Sequence, residues 1–154
     1  AREAIDDFTA TRGREGEKLA AMIVDRVNAM REIVRQVAPR IPEAQQLFTD
    51  KLRQRLQEAL GNASDDRILQ EVAVFATRID VAEEISRLST HLDEVERVLK
   101  QGGASGKRLD FLMQELNREA NTLGSKSAIT EVSQAAMDLK LLIEQMREQI
   151  QNLE

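Results

Sequence analysis

The chain has 154 residues with no cysteine, no tryptophan, no tyrosine and one histidine, and its formal net charge is −5. The absence of cysteine excludes a disulfide framework and thiolate metal sites, and a single histidine excludes a multi-histidine metal site. The negative charge argues against indiscriminate coating of nucleic acid, which requires many cations. Because 42% of the residues are hydrophobic, the sequence also excludes a disordered chain.

Segments for membrane insertion or export are not visible in this sequence. No apolar run reaches the roughly 18 residues that a membrane-spanning helix needs, and no signal peptide is visible in these residues. We therefore expect a cytoplasmic protein without a membrane partner. The chain begins with alanine inside a stretch that already has a helical pattern. We expect it to be a fragment of a longer protein, cut on its N-terminal side.

Helical periodicity dominates the chain, and no strand pattern appears. Five helices are predicted, at about residues 1–38, 42–60, 65–100, 107–122 and 127–152. Apolar residues recur at alternating steps of three and four between Ile129 and Leu153, which predicts a long helix–helix contact. We predict an all-α fold of long antiparallel helices in a bundle or coiled-coil-like arrangement. Residues 1–64 would form an N-terminal arm of two helices, and residues 65–154 a C-terminal helical domain.

Polar residues line one narrow face of the predicted third helix. At 100° per residue, Asp80, Glu84, Arg87 and His91 fall on one stripe beside the apolar face. One interpretation is an exposed face of weak salt bridges, which is common on helices. The other is a functional site, because carboxylates bind hard divalent cations, imidazole transfers protons and arginine grips phosphate.

The predicted fourth helix carries a second polar face. Two asparagines in a helix interior are poor helix formers, a cost that sequences accept more readily where the side chains have a polar role. The alternative is a merely solvated face. The face comprises Asp110, Gln114, Asn117, Arg118 and Asn121, with Glu115 and Glu119 at its border.

A short turn follows this helix. Gly124 would end the helix, and the backbone N–H groups that begin the last helix, with Lys126 and two serines, could receive a phosphate. The alternative is an ordinary capped turn.

Several runs of residues resemble one known family, the YicC/YloC-like proteins. The most specific run is Arg-Glu-Ala-Asn-Thr-Leu-Gly-Ser-Lys at 118–126, preceded by Leu-Asp-Phe-Leu-Met-Gln-Glu at 109–115. Residues 78–88 with His91, residues 146–152, and Arg14-Glu15-Gly16 with Leu19 match as well. The resemblance covers essentially the whole chain, but only the C-terminal part of the family's longer members, whose N-terminal domain is absent here.

The resemblance implies a function for the two polar faces. Members of the family are described as bacterial cytoplasmic endoribonucleases that act on RNA with a divalent metal and assemble as ring-like homo-oligomers, a hexameric ring being one form. RNA, further copies of the chain and Mn²⁺ or Mg²⁺ are therefore the expected partners and cofactor, and RNA turnover the expected role. If the absent domain completes the RNA channel, this fragment would fold without being active.

The hypothesis assigns a role to each residue of the two faces. Asp80, Glu84 and Glu115 would bind the metal or its waters and take part in catalysis, with Glu119 as a further metal ligand. His91 would be the general acid or base. Phosphate would bind Arg87, Arg118 and Lys126, whereas sugars or bases would contact Gln114, Asn117 and Asn121.

Two functions other than catalysis also remain consistent with the sequence. One is a non-catalytic all-α module that binds RNA or a protein partner. Another is a structural oligomerisation unit built on the heptads of the last helix.

Overall fold

The computed structural model describes residues 13–61, 65–101, 106–127 and 129–153. Regular structure in these ranges is entirely helical. Six α-helices are present: α1 (Gly13–Val37), α2 (Ile41–Leu60), α3 (Asp65–Arg78), α4 (Ala82–Lys100), α5 (Gly106–Lys126) and α6 (Thr130–Leu153). A 3-10 turn at Ala38–Arg40 joins α1 to α2. The predicted first twelve residues of the opening helix lie outside the described ranges.

Four of the helices pack into a bundle around one apolar core. α1 packs against α4 and α6, and α5 packs against α4 and α6, so each helix has two neighbours. The all-α bundle predicted from the sequence is confirmed. The heptad stripe on α6 supplies much of the core, because Val132, Leu139, Ile143, Met146 and Ile150 are buried.

The other two helices, α2 and α3, form a hairpin against each other. Ile68 and Val72 on α3 are buried, whereas the apolar side chains of Leu47, Leu69 and Val74 are exposed. Gly61 ends α2 at a backbone angle φ of 59°, which favours glycine because residues with a side chain rarely adopt this backbone conformation. Where the hairpin meets the link to α4, Gln45 of α2 donates its Nε2 hydrogen to the carbonyl oxygen of Ile79 at 2.6 Å.

The predicted single helix over residues 65–100 is wrong, because the chain breaks between α3 and α4. Asp80 is exposed at the break, and its Oδ1 accepts a hydrogen bond from the backbone N–H of Ala82 at 3.0 Å. Ile79 and Val81 are both buried. In a continuous helix these two side chains would point about 200° apart. The apolar residues on the two sides of the break therefore form two stripes of different phase, one on each helix. α3 packs on α2, and α4 lies in the bundle.

The described helices include none that combines the length and hydropathy needed to cross a membrane. The division into residues 1–64 and 65–154 stays a prediction. α1 is part of the same bundle as α4, α5 and α6, because they share one buried cluster.

Candidate RNA-binding seam between α4 and α5

The residues of interest lie along the line of contact between α4 and α5, here called the α4–α5 seam. Among the residues that the structure describes, three ion pairs cross it: Arg87 with Glu119, Glu94 with Arg108, and Glu84 with Lys126. The residue numbers rise along α4 as they fall along α5, so the two helices are antiparallel. The seam therefore brings the beginning of α4 next to the end of α5.

Glu84 is a buried carboxylate at the beginning of α4. Its side chain is 3% exposed, and Lys126 places its Nζ atom 3.1 Å from Oε2 and 3.3 Å from Oε1. The same Nζ donates to the backbone oxygen of Asp80 at 3.3 Å. Because an isolated carboxylate is costly to bury, Glu84 needs such a cationic partner to lie inside the fold.

Arg87, one turn further along α4, joins three carboxylates. Its Nε donates to Oε2 of Glu119 at 3.0 Å, and the Glu119 side chain is only 5% exposed. Its Nη2 and Nη1 atoms lie 3.3 Å from Glu84 and 3.3 Å from Glu83, respectively. The hydrogen bond with Glu119 and the charge of that carboxylate raise the pKa of Arg87. The planar guanidinium suits this arrangement because it carries five donors in a fixed fork.

These contacts define a seam cluster that consists of Glu84, Arg87, Glu119 and Lys126. Its two buried carboxylates face two partly exposed cations, and exposed Glu83 adds a third carboxylate on Arg87. The carboxylates hold the cations at fixed positions, and the cations reach the surface. Such a cluster can offer oriented positive groups to an anion without the entropy cost of ordering long side chains.

The four predicted metal ligands are not brought together. Asp80 binds the N–H of its own turn, and Glu115 pairs with Arg118 on the same helix at 3.6 Å. Oxygens of Glu84 and Glu119 already accept hydrogen bonds from Lys126 and Arg87. Over the described ranges, no three side chains of His, Cys, Asp or Glu are grouped as a metal ion would need. In this arrangement the residues do not fit a metal centre, and the divalent cofactor stays a prediction.

His91 lies on the seam-facing side of α4, one turn beyond Arg87. Residues four apart share a helix face, which places the imidazole between Arg87 and Glu94. His91 is half-buried, and its Nδ1 atom is buried without a hydrogen-bond partner. The proposed acid or base therefore lies next to the seam cluster along α4.

The predicted RNA-binding residues of α5 divide between two sides of the helix. Gly124 faces Ala136 of α6, since a Cβ atom on it would lie 3.6 Å from the Ala136 Cβ. Asn117 lies seven residues earlier and so shares that face. Asn121 and Gln114 are exposed beside it, and Gln114 donates to Asp110 at 3.2 Å. The amides therefore lie towards α6, while Glu119 and Lys126 face α4 and Arg118 is exposed.

The predicted phosphate-binding turn at residues 124–127 is wrong in its geometry. Gly124, Ser125 and Lys126 belong to α5, and α6 begins only at Thr130. The hydroxyls of Ser125 and Ser127 donate to backbone oxygens of Thr122 and Gly124. Gly124 does not end the helix but lies inside α5, where a Cβ atom would make an ordinary contact with Ala136 of α6.

A family model described as "Endoribonuclease YicC-like, C-terminal" matches residues 37–154, which include both helices of the seam. The chain belongs to the YicC-like family. This agrees with the resemblance seen in the sequence.

Two curated relatives extend the match over nearly the whole chain. The probable endoribonuclease YicC of Haemophilus influenzae is 49% identical over 152 residues, which cover 99% of this chain. A protein of the same name from Clostridioides difficile is 32% identical over 155 aligned residues, again covering 99% of this chain. In both comparisons the YicC-like chain spans about half, 53%, of the relative's length.

Sequence reasoning found all four members of the seam cluster but missed how they pair. Glu84 and Glu119 were expected to bind metal, whereas each binds a cation across the seam. No signal in a single sequence gives this pairing, because it depends on how α4 and α5 align in space. Glu94, Arg97 and Phe111, which also lie along the seam, were not singled out as site residues at all.

Proposed function

We propose that this YicC-like chain is the RNA-binding and RNA-cleaving part of an endoribonuclease, and that a backbone phosphate binds at the seam cluster. The names of the two curated relatives support RNA cleavage as the activity. The observation that carries the proposal is the pair of cations on the seam. Arg87 and Lys126 come from different helices, and buried Glu119 and Glu84 hold them side by side.

The cations of the seam cluster can stabilise the negative charge that develops during phosphodiester cleavage. Attack on phosphorus concentrates negative charge on the phosphate oxygens, and fixed donors near those oxygens lower the barrier. Arg87 stays charged at any physiological pH, and its raised pKa strengthens that property. Its contact with Glu119 fixes the guanidinium before RNA arrives, so little reorganisation is needed.

His91 is the residue that would move a proton. Cleavage removes a proton from the attacking hydroxyl or water and delivers one to the leaving oxygen. Histidine changes charge near neutral pH and can perform either transfer. The carboxylates of Asp80 and Glu115 bind other groups, a backbone N–H and Arg118, and stay candidates for further catalytic roles. Gln114, Asn117 and Asn121 stay candidates for contacts with sugars or bases.

One experiment tests the activity and the residues together. Labelled RNA is incubated with the chain, with the His91→Ala and Arg87→Ala variants, and with Arg35→Ala as a control on the outer surface of α1. Each is assayed with Mn²⁺, with Mg²⁺ and with a chelator. We expect cleavage by the wild type and the control, and a loss of at least tenfold in both seam variants. Equal cleavage by all four proteins would contradict the assignment.

The chelator arm also tests the cofactor. Cleavage that stops on removal of the divalent ion would show that the reaction requires a metal. Cleavage that continues in the presence of chelator would indicate that the seam cluster acts without a metal ion.

A second candidate is a non-catalytic module that assembles with further copies of the chain. The exposed apolar side chains Leu47, Leu69 and Val74 on the α2–α3 hairpin favour it, because such surfaces often mark protein contacts. RNA binding without cleavage, together with a mass above that of one chain by light scattering, would support this candidate.

A further inference from the structure

A second group of charged and aromatic side chains lies on the same seam, further along α4. Glu94 accepts hydrogen bonds from Arg97, including one of 2.8 Å to Nε, and from Arg108 of α5 at 3.1 Å. The Arg108 guanidinium carbon lies 5.5 Å from the centre of the Phe111 ring, over the ring face. These four residues are here called the Glu94 cluster.

The charge of this cluster differs from that of the seam cluster. One carboxylate holds two guanidinium groups, so the Glu94 cluster keeps a net positive charge. Arg97 is about half exposed, and a guanidinium that donates to one carboxylate retains further N–H donors. A phosphate group can therefore join Arg97 without displacing Glu94. The hydrogen bonds from Arg97 and Arg108 lower the pKa of Glu94 to about 2, so the arrangement persists at every physiological pH.

Phe111 adds a stacking surface beside these cations. It is 47% exposed, which is unusual for a large aromatic side chain next to a packed helix pair. Aromatic rings and arginine planes are the surfaces on which bases of single-stranded nucleic acid stack. An exposed ring, a stacked guanidinium and a net positive charge thus occur together on one stretch of the seam.

The spacing of the two clusters matches a nucleic-acid strand. Arg87 and Arg97 are ten residues apart on α4, a rise of about 15 Å. At roughly 3.4 Å per nucleotide, the axial rise of a strand stacked as in a duplex, about four nucleotides span this distance. Arg87 and Glu94 lie on the same side of α4, because each forms an ion pair across the seam, and Arg97 is held beside Glu94.

We propose that Arg97, Arg108 and Phe111 form a second subsite, which binds a nucleotide of single-stranded RNA about four positions away from the phosphate at the seam cluster. This inference rests on the proposed function and extends it, because it defines the substrate as a single strand that follows the seam. Arg97 and Arg108 would hold the backbone, and Phe111 would stack on a base.

The test measures binding of labelled oligouridylates of three and nine nucleotides to the full chain by fluorescence anisotropy, with chelator present to prevent metal-dependent cleavage. Nine nucleotides can reach both clusters, and three cannot. We expect the wild type to bind the longer oligonucleotide more tightly. Phe111→Ala should abolish most of this gain, weakening binding of the nine-mer about 5- to 100-fold. Phe111→Tyr, which keeps the ring, should restore it.

Matched controls separate the subsite from general effects on folding or charge. Met137→Ala removes an exposed apolar side chain from α6, and Arg35→Ala removes an arginine that, like Arg97, pairs with a glutamate three residues earlier. Arg97→Ala should lower the slope of log affinity against log salt by about 0.7, and Arg35→Ala should leave it unchanged.

The outcomes separate this inference from the proposed function. If the wild type binds neither oligonucleotide, both are wrong. If Arg87→Ala weakens binding but Phe111→Ala and Arg97→Ala behave like their controls, the proposed function stands and the second subsite is wrong. Suppose that the wild type binds the nine-mer more tightly than the three-mer, and that Phe111→Ala removes this difference while Phe111→Tyr keeps it. This result supports both the proposed function and the second subsite.

Discussion

Lys126, the last residue of α5, holds its Nζ atom 3.1 Å from Oε2 of Glu84, the third residue of α4. The beginning of a helix carries a partial positive charge and its end a partial negative charge. The antiparallel packing therefore places the carboxylate and the ammonium group where each helix end favours it. This ion pair joins the two helices at the end of the seam where we propose that the phosphate binds.

The Glu84–Lys126 pair predicts a strong energetic coupling. Lys126→Met leaves Glu84 buried with only Arg87 as a cationic partner, and we expect a loss of about 1–3 kcal/mol in the free energy of unfolding. Glu84→Gln together with Lys126→Met should cost less than the sum of the single changes. Urea unfolding of the four proteins measures the coupling, and Lys140→Met, on the exposed face of α6, is the control. Strictly additive effects would show that the pair does not interact.

The contacts of Arg87 predict that RNA binding requires arginine, and not lysine, at this position. A lysine at this position keeps the charge but cannot reach Glu83, Glu84 and Glu119 together, because it lacks the planar fork. We expect Arg87→Lys to weaken RNA binding roughly tenfold or more, since one charge-assisted hydrogen bond contributes about 1.5–3 kcal/mol. Anisotropy with labelled RNA measures this, and Arg35→Lys should bind like the wild type. Wild-type affinity in Arg87→Lys would mean that the fork geometry is not used.

Glu94 predicts a defined dependence of stability on pH. Its pKa is lowered from 4.5 to about 2 by the hydrogen bonds from Arg97 and Arg108. A lowered pKa in the folded state contributes stability above the ordinary pKa, and that contribution is lost as the pH falls through the folded value. The stability difference between the wild type and Glu94→Gln should therefore be constant above about pH 5.5 and shrink towards pH 2. Thermal unfolding at several pH values measures it, and a difference that does not vary between pH 6 and pH 2 would contradict the contact.

Two glycines predict opposite effects of the same substitution. Gly124 lies inside α5 with a negative φ and room for a Cβ atom at 3.6 Å from Ala136, so Gly124→Ala should stabilise the fold by about 0.5–1 kcal/mol. Gly61 has a φ of 59°, and Gly61→Ala should destabilise by about 1 kcal/mol. Differential scanning calorimetry of both variants gives the sign directly. A lower melting temperature for Gly124→Ala would show that the α5–α6 contact is tighter than described.

Features of this fold that depend on local periodicity could be predicted from the sequence. The stripe through Leu139, Ile143 and Met146 is buried as its spacing predicts, because a helix buries every residue that recurs on one face. The break in the helix at Asp80 could not be predicted from periodicity. A change of phase in a helical pattern is equally consistent with a continuous helix that changes neighbours, and only the burial of both Ile79 and Val81 distinguishes the two.

The candidate site shows the same limit. The stripe of Glu84, Arg87 and His91 follows from their positions on one helix. The partners Glu119 and Lys126 lie 32 and 42 residues away from the α4 residues that they contact. Their contacts depend on the register between two helices, which local spacing does not determine. Carboxylates expected to bind a metal are consequently found holding cations.

The most direct test of the central claim locates bound RNA on the surface of the chain. A single-stranded RNA with photoreactive uridines is cross-linked to the protein, and the linked peptides are identified by mass spectrometry. The account predicts cross-links on α4 and α5 within residues 87–97 and 108–126, with loss of most of them in Arg87→Ala. Cross-links confined to the α2–α3 hairpin or to the outer face of α6 would contradict the claim that the α4–α5 seam binds RNA.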